Sequence, residues 1–311
     1  MKLADTQDLG SCAERRRGST PRVATASLNP STPASELISD LITSVSNPRI
    51  KFVAGLRDAK DRKKEGLFLI DGLENISLAC QSSFQIQEIF VCETLWQHPN
   101  LQLTKLRGSN SFRWTRLSQA PLQKLQYGQQ TIQAVAVART PDASLETLSR
   151  RLAGTSNPSQ RELYLVLDRL EKPGNLGAAM RTADAAGVTA VLLSDPTSEA
   201  WNPNAIRASL GAIFTVPLAI DSWSHVCRWL KDRRAKVYAA RTENGQTYTQ
   251  VRFPEKLAIV IGSEAHGLQE RWQSQEISSV HIPMFGQIDS LNASVTGSIL
   301  LFEVVRQWQS T

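Results

Sequence analysis

The chain has 311 residues, 41% of them apolar and 21% charged, with a formal net charge of +6. That length predicts about two domains with sizeable cores, and no run approaches the ~18 apolar residues of a membrane span. Cys12, Cys80, Cys92 and Cys227 show no CxxC spacing, and His98, His225, His266 and His281 show no HxxxH or HExxH spacing, so a disulfide framework and a catalytic zinc are excluded and reduced thiols of a cytoplasmic protein are expected.

The charge is unevenly placed. Residues 41–140 carry 13 Lys/Arg against 7 Asp/Glu, whereas 1–40 carry 5 of each and 141–311 carry 17 of each. The whole excess lies in the middle hundred residues. A neutral domain joined to a basic one is expected, and a basic domain favours a polyanion over a small neutral substrate.

In chain order, residues 1–40 read as a disordered tail. The stretch 1–35 is rich in Ser, Thr, Ala and Pro, holds Arg15-Arg16-Arg17 and has no apolar period. Arg and Ser suit a transit peptide; Asp5, Asp8 and Glu14 oppose one. Asn47-Pro48 starts a helix, by N-cap and proline at the first position, and Arg49–Lys64 is dense in Arg and Lys. Strands are expected at Phe68–Ile70, Ile86–Val91 and Thr131–Ala138, with a helix from Leu73 to Cys80. Together they predict a small α/β domain over 41–140. Residues 141–160 read as a linker with one short helix.

The second domain, 161–311, opens with a strand at Glu162–Leu167. A helix from Leu176 to Ala186 follows, with Asn175 as N-cap and Gly187 as C-cap, and then a strand at Val188–Ser194. This is a βαβ unit. Further elements are a helix from Asn202-Pro203 to Leu210, a strand at Ile213–Leu218, a helix at Trp223–Arg233, and strands at Lys236–Arg241 and Leu257–Ile261. The polar trio Ser290, Leu291 and Asn292 opens a long helix in its first turn. Apolar residues at Leu291, Val295, Ile299, Phe302 and Val305 mark its buried face.

Three stretches carry chemical groups beside strand ends: NLGAAMRTADAAG at 175–187, IGSEAHGL at 261–268 and IPMFGQIDSLNAS at 282–294. Loops after the C-terminal ends of parallel strands line one crevice. Gly262, Gly267 and Gly286 permit close backbone approach, Ile282, Met284 and Leu291 offer apolar walls, and Asn175, Arg181, Glu264, Ser290 and Asn292 offer polar handles. Neither GxxxxGK[ST] nor GxSxG occurs, which argues against a nucleotide triphosphate site and a serine hydrolase.

These stretches resemble the three motifs of the SpoU/TrmH family of SPOUT-class RNA ribose methyltransferases: Asn175-x-Gly177-x-x-x-Arg181-Thr182-Ala183, Gly262-Ser263-Glu264-x-x-Gly267-Leu268, and Ile282-Pro283-Met284-x-Gly286 through Ser290-Leu291-Asn292-x-Ser294. The resemblance covers 160–308, and SNPRIK, FLIDG and TIQAVAVA extend it to the substrate-binding domain that precedes the enzyme in many members. It implies an α/β domain with a C-terminal trefoil knot, a homodimer, S-adenosylmethionine as cofactor and methylation of a ribose 2′-hydroxyl in structured RNA, ribosomal before transfer RNA. A catalytically silent RNA-binding protein of the same fold is the rival.

Carried over residue by residue, the resemblance implies that Gly262, Ile282, Met284, Ser290 and Leu291 bind the cofactor. Arg181, Asn175, Glu264 and Asn292 are then the catalytic set. Two roles stay open for Arg181: general base, or binder of the neighbouring phosphate and of developing alkoxide charge. A guanidinium stays charged at neutral pH, which favours the second. Arg49, Lys51, Arg57, Arg62, Lys63 and Lys64 are the expected phosphate contacts. Lys172 departs from the family's pattern, in which an acidic residue commonly precedes the proline, and points to altered substrate contacts.

Overall fold

The computed structural model describes residues 38–82, 84–107, 112–127, 132–154 and 161–310. The expected tail at 1–37, the arginine triplet, Thr131 and the linker residues 155–160 lie outside them. The first domain runs β1 (Ile38–Ile42), α1 (Pro48–Gly55), α2 (Ala59–Glu65), β2 (Leu67–Asp71), α3 (Leu73–Gln81), β3 (Ile86–Cys92), α4 (Glu93–Gln97), α5 (Leu101–Arg107), β4 (Arg113–Leu117), α6 (Gln119–Leu125) and β5 (Ala134–Arg139). Its sheet has the order β1-β4-β3-β5-β2, with β5 antiparallel to both neighbours. The Asn47 side chain accepts from the Arg49 N–H, and Pro48 opens α1. Strand β1 begins inside the segment assigned to the tail, because Ile38 and Ser39 pair with Trp114 and Thr115 of β4. A short edge strand among Ser and Thr has no period of its own to announce it.

After α7 (Leu145–Ala153), the second domain runs β6 (Glu162–Asp168), α8 (Pro173–Ala185), β7 (Ala190–Ser194), α9 (Pro203–Ser209), α10 (Ala212–Thr215), β8 (Leu218–Asp221), α11 (Trp223–Asp232), β9 (Lys236–Ala240), β10 (Gln246–Thr247), β11 (Lys256–Ile261), β12 (Ile277–His281) and α12 (Ala293–Gln309). The sheet order is β10-β12-β9-β11-β6-β7-β8, and every pair is parallel. The central strands β6 and β11 are buried almost throughout. That matches their unbroken apolar sequence, since helices cover both faces of a parallel sheet. Gly187 takes φ +64 after α8 and lets the Val188 N–H reach back to the Ala183 carbonyl, a left-handed helix stop.

Three further expectations fail here. Ile213–Leu218 is not a strand: residues 212–215 form α10, which buries Ile213 and Phe214, and the strand begins only at Leu218. The β-branched run misled because packing overrides propensity in so short a piece. Second, Ser290 and Leu291 precede α12, and Asn292 is its N-cap. Third, the apolar series from Leu291 to Val305 is not the buried face. The buried side is Gly297, Leu300, Leu301 and Val304, while Val295 and Phe302 are 44% and 48% exposed. Helix α12 is apolar on two sides, and only one of them meets this chain's core.

One core runs through both domains. Phe68 of β2 packs on Trp201 with ring centroids 5.3 Å apart, and Phe84 meets Phe214 edge-on at 5.1 Å. Beside these rings the buried Arg62 pairs with Glu199 and donates to the carbonyls of Leu56 and Arg57. The first domain is therefore fused to the second by packed rings and by the ion pair of the buried Arg62 with the partly exposed Glu199.

Candidate active site

The ends of β11, β12 and the start of α12 enclose a cavity of about 370 Å³. Gly262, Ile282, Met284, Ser290 and Leu291 all line it, with Glu264, Asp289, Ile261 and Leu300. Gly262 is obligatory. A Cβ there would lie 2.2 Å from the Gly267 carbonyl carbon and 2.5 Å from the Leu268 nitrogen, both fixed backbone atoms. The backbone thus folds back tightly on itself after Gly262, in a loop closed by the Gly267 N–H to Ser263 O bond of 2.9 Å. Gly267 takes φ +61, which suits glycine.

Glu264, Asn175 and Asn292 come together beside this cavity. The Asn292 amide donates to Asn175 Oδ1 at 3.1 Å. The Asn175 amide donates in turn to Glu264 Oε1. Asn292 Oδ1 accepts from the Ser294 N–H at 2.9 Å and the Ser294 hydroxyl at 2.6 Å. One polar chain therefore links residues from all three sequence stretches. Its end is open, because Glu264 Oε2 is buried and, among the described residues, has no hydrogen-bond partner. A buried carboxylate oxygen without a partner is costly to keep, and here it borders a cavity.

Asn175 is not the N-cap it was expected to be. Lys172 is, and Pro173 begins α8. Asn175 thus lies in the first turn with its side chain free to reach Glu264. Helix α8 is held on two sides. Gly177 faces α9 so closely that a Cβ would lie 2.5 Å from both the Ala205 carbonyl oxygen and the Ala208 Cβ. Thr182 shares a hydrogen bond of 2.9 Å with Ser298 of α12. Arg181 is exposed, and among the described residues no hydrogen bond or ion pair reaches it. Six residues of helix set it about 9 Å along and about 120° around from Asn175, from the geometry of the α-helix. The structure does not bring Arg181 into this chain's own polar chain.

The basic residues divide. Arg62 is only 4% exposed and is taken by Glu199. Arg57 binds both oxygens of Asp71 and the Leu125 carbonyl. Arg49 grips the buried Glu88, whose other oxygen accepts from Thr115 at 2.5 Å. These arginines are structural here, against expectation. Lys51, Lys63 and Lys64 are exposed, with Lys64 3.1 Å from Glu65. Sequence reasoning also missed Asp168, which is buried and accepts from Ser194 at 2.7 Å and Arg271 at 2.7 Å. Arg271 also reaches Asp195, so it ties the chain just beyond the 262–268 loop to the ends of β6 and β7. A lone Asp closing an apolar strand was the available signal.

Among the described residues no cluster of His, Cys, Asp or Glu could hold a metal, and no helix is long and apolar enough to cross a membrane.

Residues 162–302 match the SpoU rRNA Methylase family, and residues 47–137 match the MRM3-like substrate binding domain. A solved RNA 2′-O ribose methyltransferase is 34% identical, with a TM-score of 0.72 over 87% of this chain and all of that one. The 23S rRNA (guanosine(2553)-2′-O)-methyltransferase RlmP of Bacillus subtilis strain 168 is 28% identical over 85% of this chain and 98% of its own length. The SpoU methyltransferase AviRb of Streptomyces viridochromogenes, solved with AdoMet, shares the fold at 24% identity and TM-score 0.75, over 85% of this chain and 99% of that one.

Proposed function

The chain belongs to the SpoU rRNA methylase family, and we propose that it transfers a methyl group from S-adenosylmethionine to a ribose 2′-hydroxyl of ribosomal RNA. The observation that carries this reading is the Asn292–Asn175–Glu264 chain ending beside the cavity lined by Gly262. Relatives named for 23S rRNA favour ribosomal over transfer RNA. The same reading takes the cytoplasm as its site of action.

The cavity suits the cofactor. Ile261, Ile282, Met284, Leu291 and Leu300 offer apolar walls for an adenine, and the backbone at Gly262 is open to close approach. Glu264 and Asp289 suit a ligand carrying positive charge and repel a polyphosphate. When bound, S-adenosylmethionine supplies an electrophilic methyl on a good leaving group. The protein's work is then alignment and charge stabilisation. Asn175 and Asn292 lock the Glu264 carboxylate in place. Arg181, charged and unengaged, binds the phosphate beside the target ribose and stabilises developing negative charge on its oxygen, while the hydroxyl proton leaves to water or to that phosphate.

Because Arg181 faces away from Asn175 on α8, we assign it to the partner's site in a homodimer. The second apolar side of α12, with the exposed Val295 and Phe302, supports such an interface; a monomer in sedimentation velocity would sink this part of the reading. The trefoil knot belongs to the same reading. Strand β12 sits beyond β9, yet the next helix, α12, returns to pack on β11 and α8. An experimental trace of 256–309 with no threaded loop would remove it.

Methyl incorporation from labelled S-adenosylmethionine into unmodified total RNA tests the function. Expected is label in ribosomal RNA that protects the neighbouring bond from alkali. Arg181→Ala should lower kcat by about 100- to 1,000-fold, the range for removing one transition-state donor, without loss of cofactor binding. Folded protein that labels no RNA would leave the silent RNA-binding rival.

A further inference from the structure

A second cavity, of about 590 Å³, lies between the two domains and shares no lining residue with the first. Its size falls in the ~300–1,000 Å³ range of small-ligand sites. Buried Leu69 and Ile206 form part of its wall. Tyr127 adds an aromatic ring to the wall, with the Arg57 guanidinium 5.6 Å from its centroid and its hydroxyl accepting from Asn204 at 3.0 Å. Three features of the rim define what would enter.

The first is Leu210. It is 63% exposed, and it holds φ +50 and ψ 35. Exposure and left-handed backbone are each unfavourable for a leucine, and strain of this kind gathers at ligand sites. The second is Glu74. It is exposed at the start of α3, and among the described residues nothing pairs with it. The neighbouring carboxylate, Asp71, is already held by Arg57. The third is Arg207 on the opposite side, exposed, with its guanidinium 5.9 Å from the Tyr127 ring centroid.

A free carboxylate beside aromatic and apolar walls repels phosphate and accepts from N–H groups. An extruded base supplies both a flat apolar face and an edge of donors. Guanine fits Glu74 best, because two adjacent N–H groups on its pairing edge can meet the two carboxylate oxygens. Arg207 then takes the phosphate that follows. We propose that this cleft receives an unpaired guanine of the substrate RNA, distinct from the methylated nucleotide, with Leu210 as the wedge that keeps it unstacked. Helix α9, which carries Ile206 and Arg207, packs on α8, so the guanine would set the RNA's register relative to Arg181.

The inference rests on the ribosomal RNA reading, and its test is separable. Fluorescence anisotropy would compare labelled UUGUU and UUAUU on the full-length protein. We expect a preference of about tenfold for UUGUU, within the usual worth of one bidentate base contact. Glu74→Gln should abolish the preference. Leu210→Gly relieves the backbone and does not threaten the fold, yet it should weaken UUGUU binding and raise KM for ribosomal RNA several-fold with cofactor binding unchanged. Equal affinity for the two oligonucleotides, or Leu210→Gly with unaltered RNA binding, would overturn the proposal. Methylation of ribosomal RNA without guanine preference sinks the cleft alone. A guanine preference that follows Glu74 in a protein that methylates nothing keeps the cleft and sinks the enzyme.

Discussion

Arg62 and Arg181 are the same residue type on two exposed-looking helical sequences, and the fold uses them in opposite ways. Arg62 sits among Lys60, Lys63 and Lys64 in the most basic stretch of the chain, yet its guanidinium is buried against Glu199 and two carbonyls. Arg181 sits in a neutral domain, between Met180 and Thr182, and is left unengaged on the surface. Net charge located a basic stretch, residues 41–140. It did not say which cations are available to a ligand. Arginine's planar, five-donor head is well suited to close buried acids and carbonyl groups, whereas lysine's compact charge stays hydrated. In the first domain the division follows that chemistry: Arg49, Arg57 and Arg62 hold the fold, and Lys51, Lys63 and Lys64 face water.

The comparison breaks most visibly at Arg62. Truncating the buried Arg62 strands the Leu56 and Arg57 carbonyls, while the 36% exposed Glu199 can return to water, so Arg62→Ala should lower unfolding free energy by about 2 kcal/mol. Arg181→Ala should change it by less than about 0.5 kcal/mol, as at an ordinary surface site. Urea titration of both variants decides. Equal stability losses would mean that Arg181 is also structural, and its kinetic effect would need another explanation.

The lysines sharpen the comparison from the binding side. If they face RNA, each lysine that neutralises a phosphate steepens the fall of log affinity with log salt by about 0.7 to 0.9. The triple variant Lys51→Ala, Lys63→Ala, Lys64→Ala should therefore flatten that slope by about 2 for a ribosomal RNA fragment. Stability should be little changed. An unaltered slope would move the RNA to another face of the molecule.

Much of this contrast could be read in advance, and the unread part has a physical cause. Helix starts at Asn47 and Asn202 were plain because capping is local. The buried strands β6 and β11 were plain because both faces are apolar. The three site stretches were visible because Gly262, Asn175 and Asn292 stand at strand and helix ends. What could not be read is partnership across distance. Glu199 is 137 residues from Arg62, and no local pattern joins them. Helix α12 failed for a related reason: it is apolar on two sides, and periodicity alone cannot say which side meets this chain's core. Asn175 was taken for a cap because its type suits one, although Pro173 two residues earlier had already opened the helix.

The smallest expected effect concerns a carboxylate with full partnership, set against Glu264 and its open oxygen. Glu162 at the start of β6 accepts from Tyr164 and from Lys256 at 3.2 Å, with Arg233 3.5 Å away. Burial alone would push its carboxyl up. The hydrogen bonds from Tyr164 and Lys256, with the charges of Arg233 and Lys256, outweigh that and hold it below the ordinary value. A folded-state pKa below the unfolded one means stability that is present above the unfolded carboxylate range, ~4.3, and lost as pH falls through the folded value. Glu162→Gln removes the titration. The drop in unfolding free energy between pH 7 and pH 3 should then shrink by roughly 1 kcal/mol, the upper end for a partly exposed pair. If the acid-side loss is the same in the variant, the ring of partners around Glu162 contributes packing and no net charge pairing.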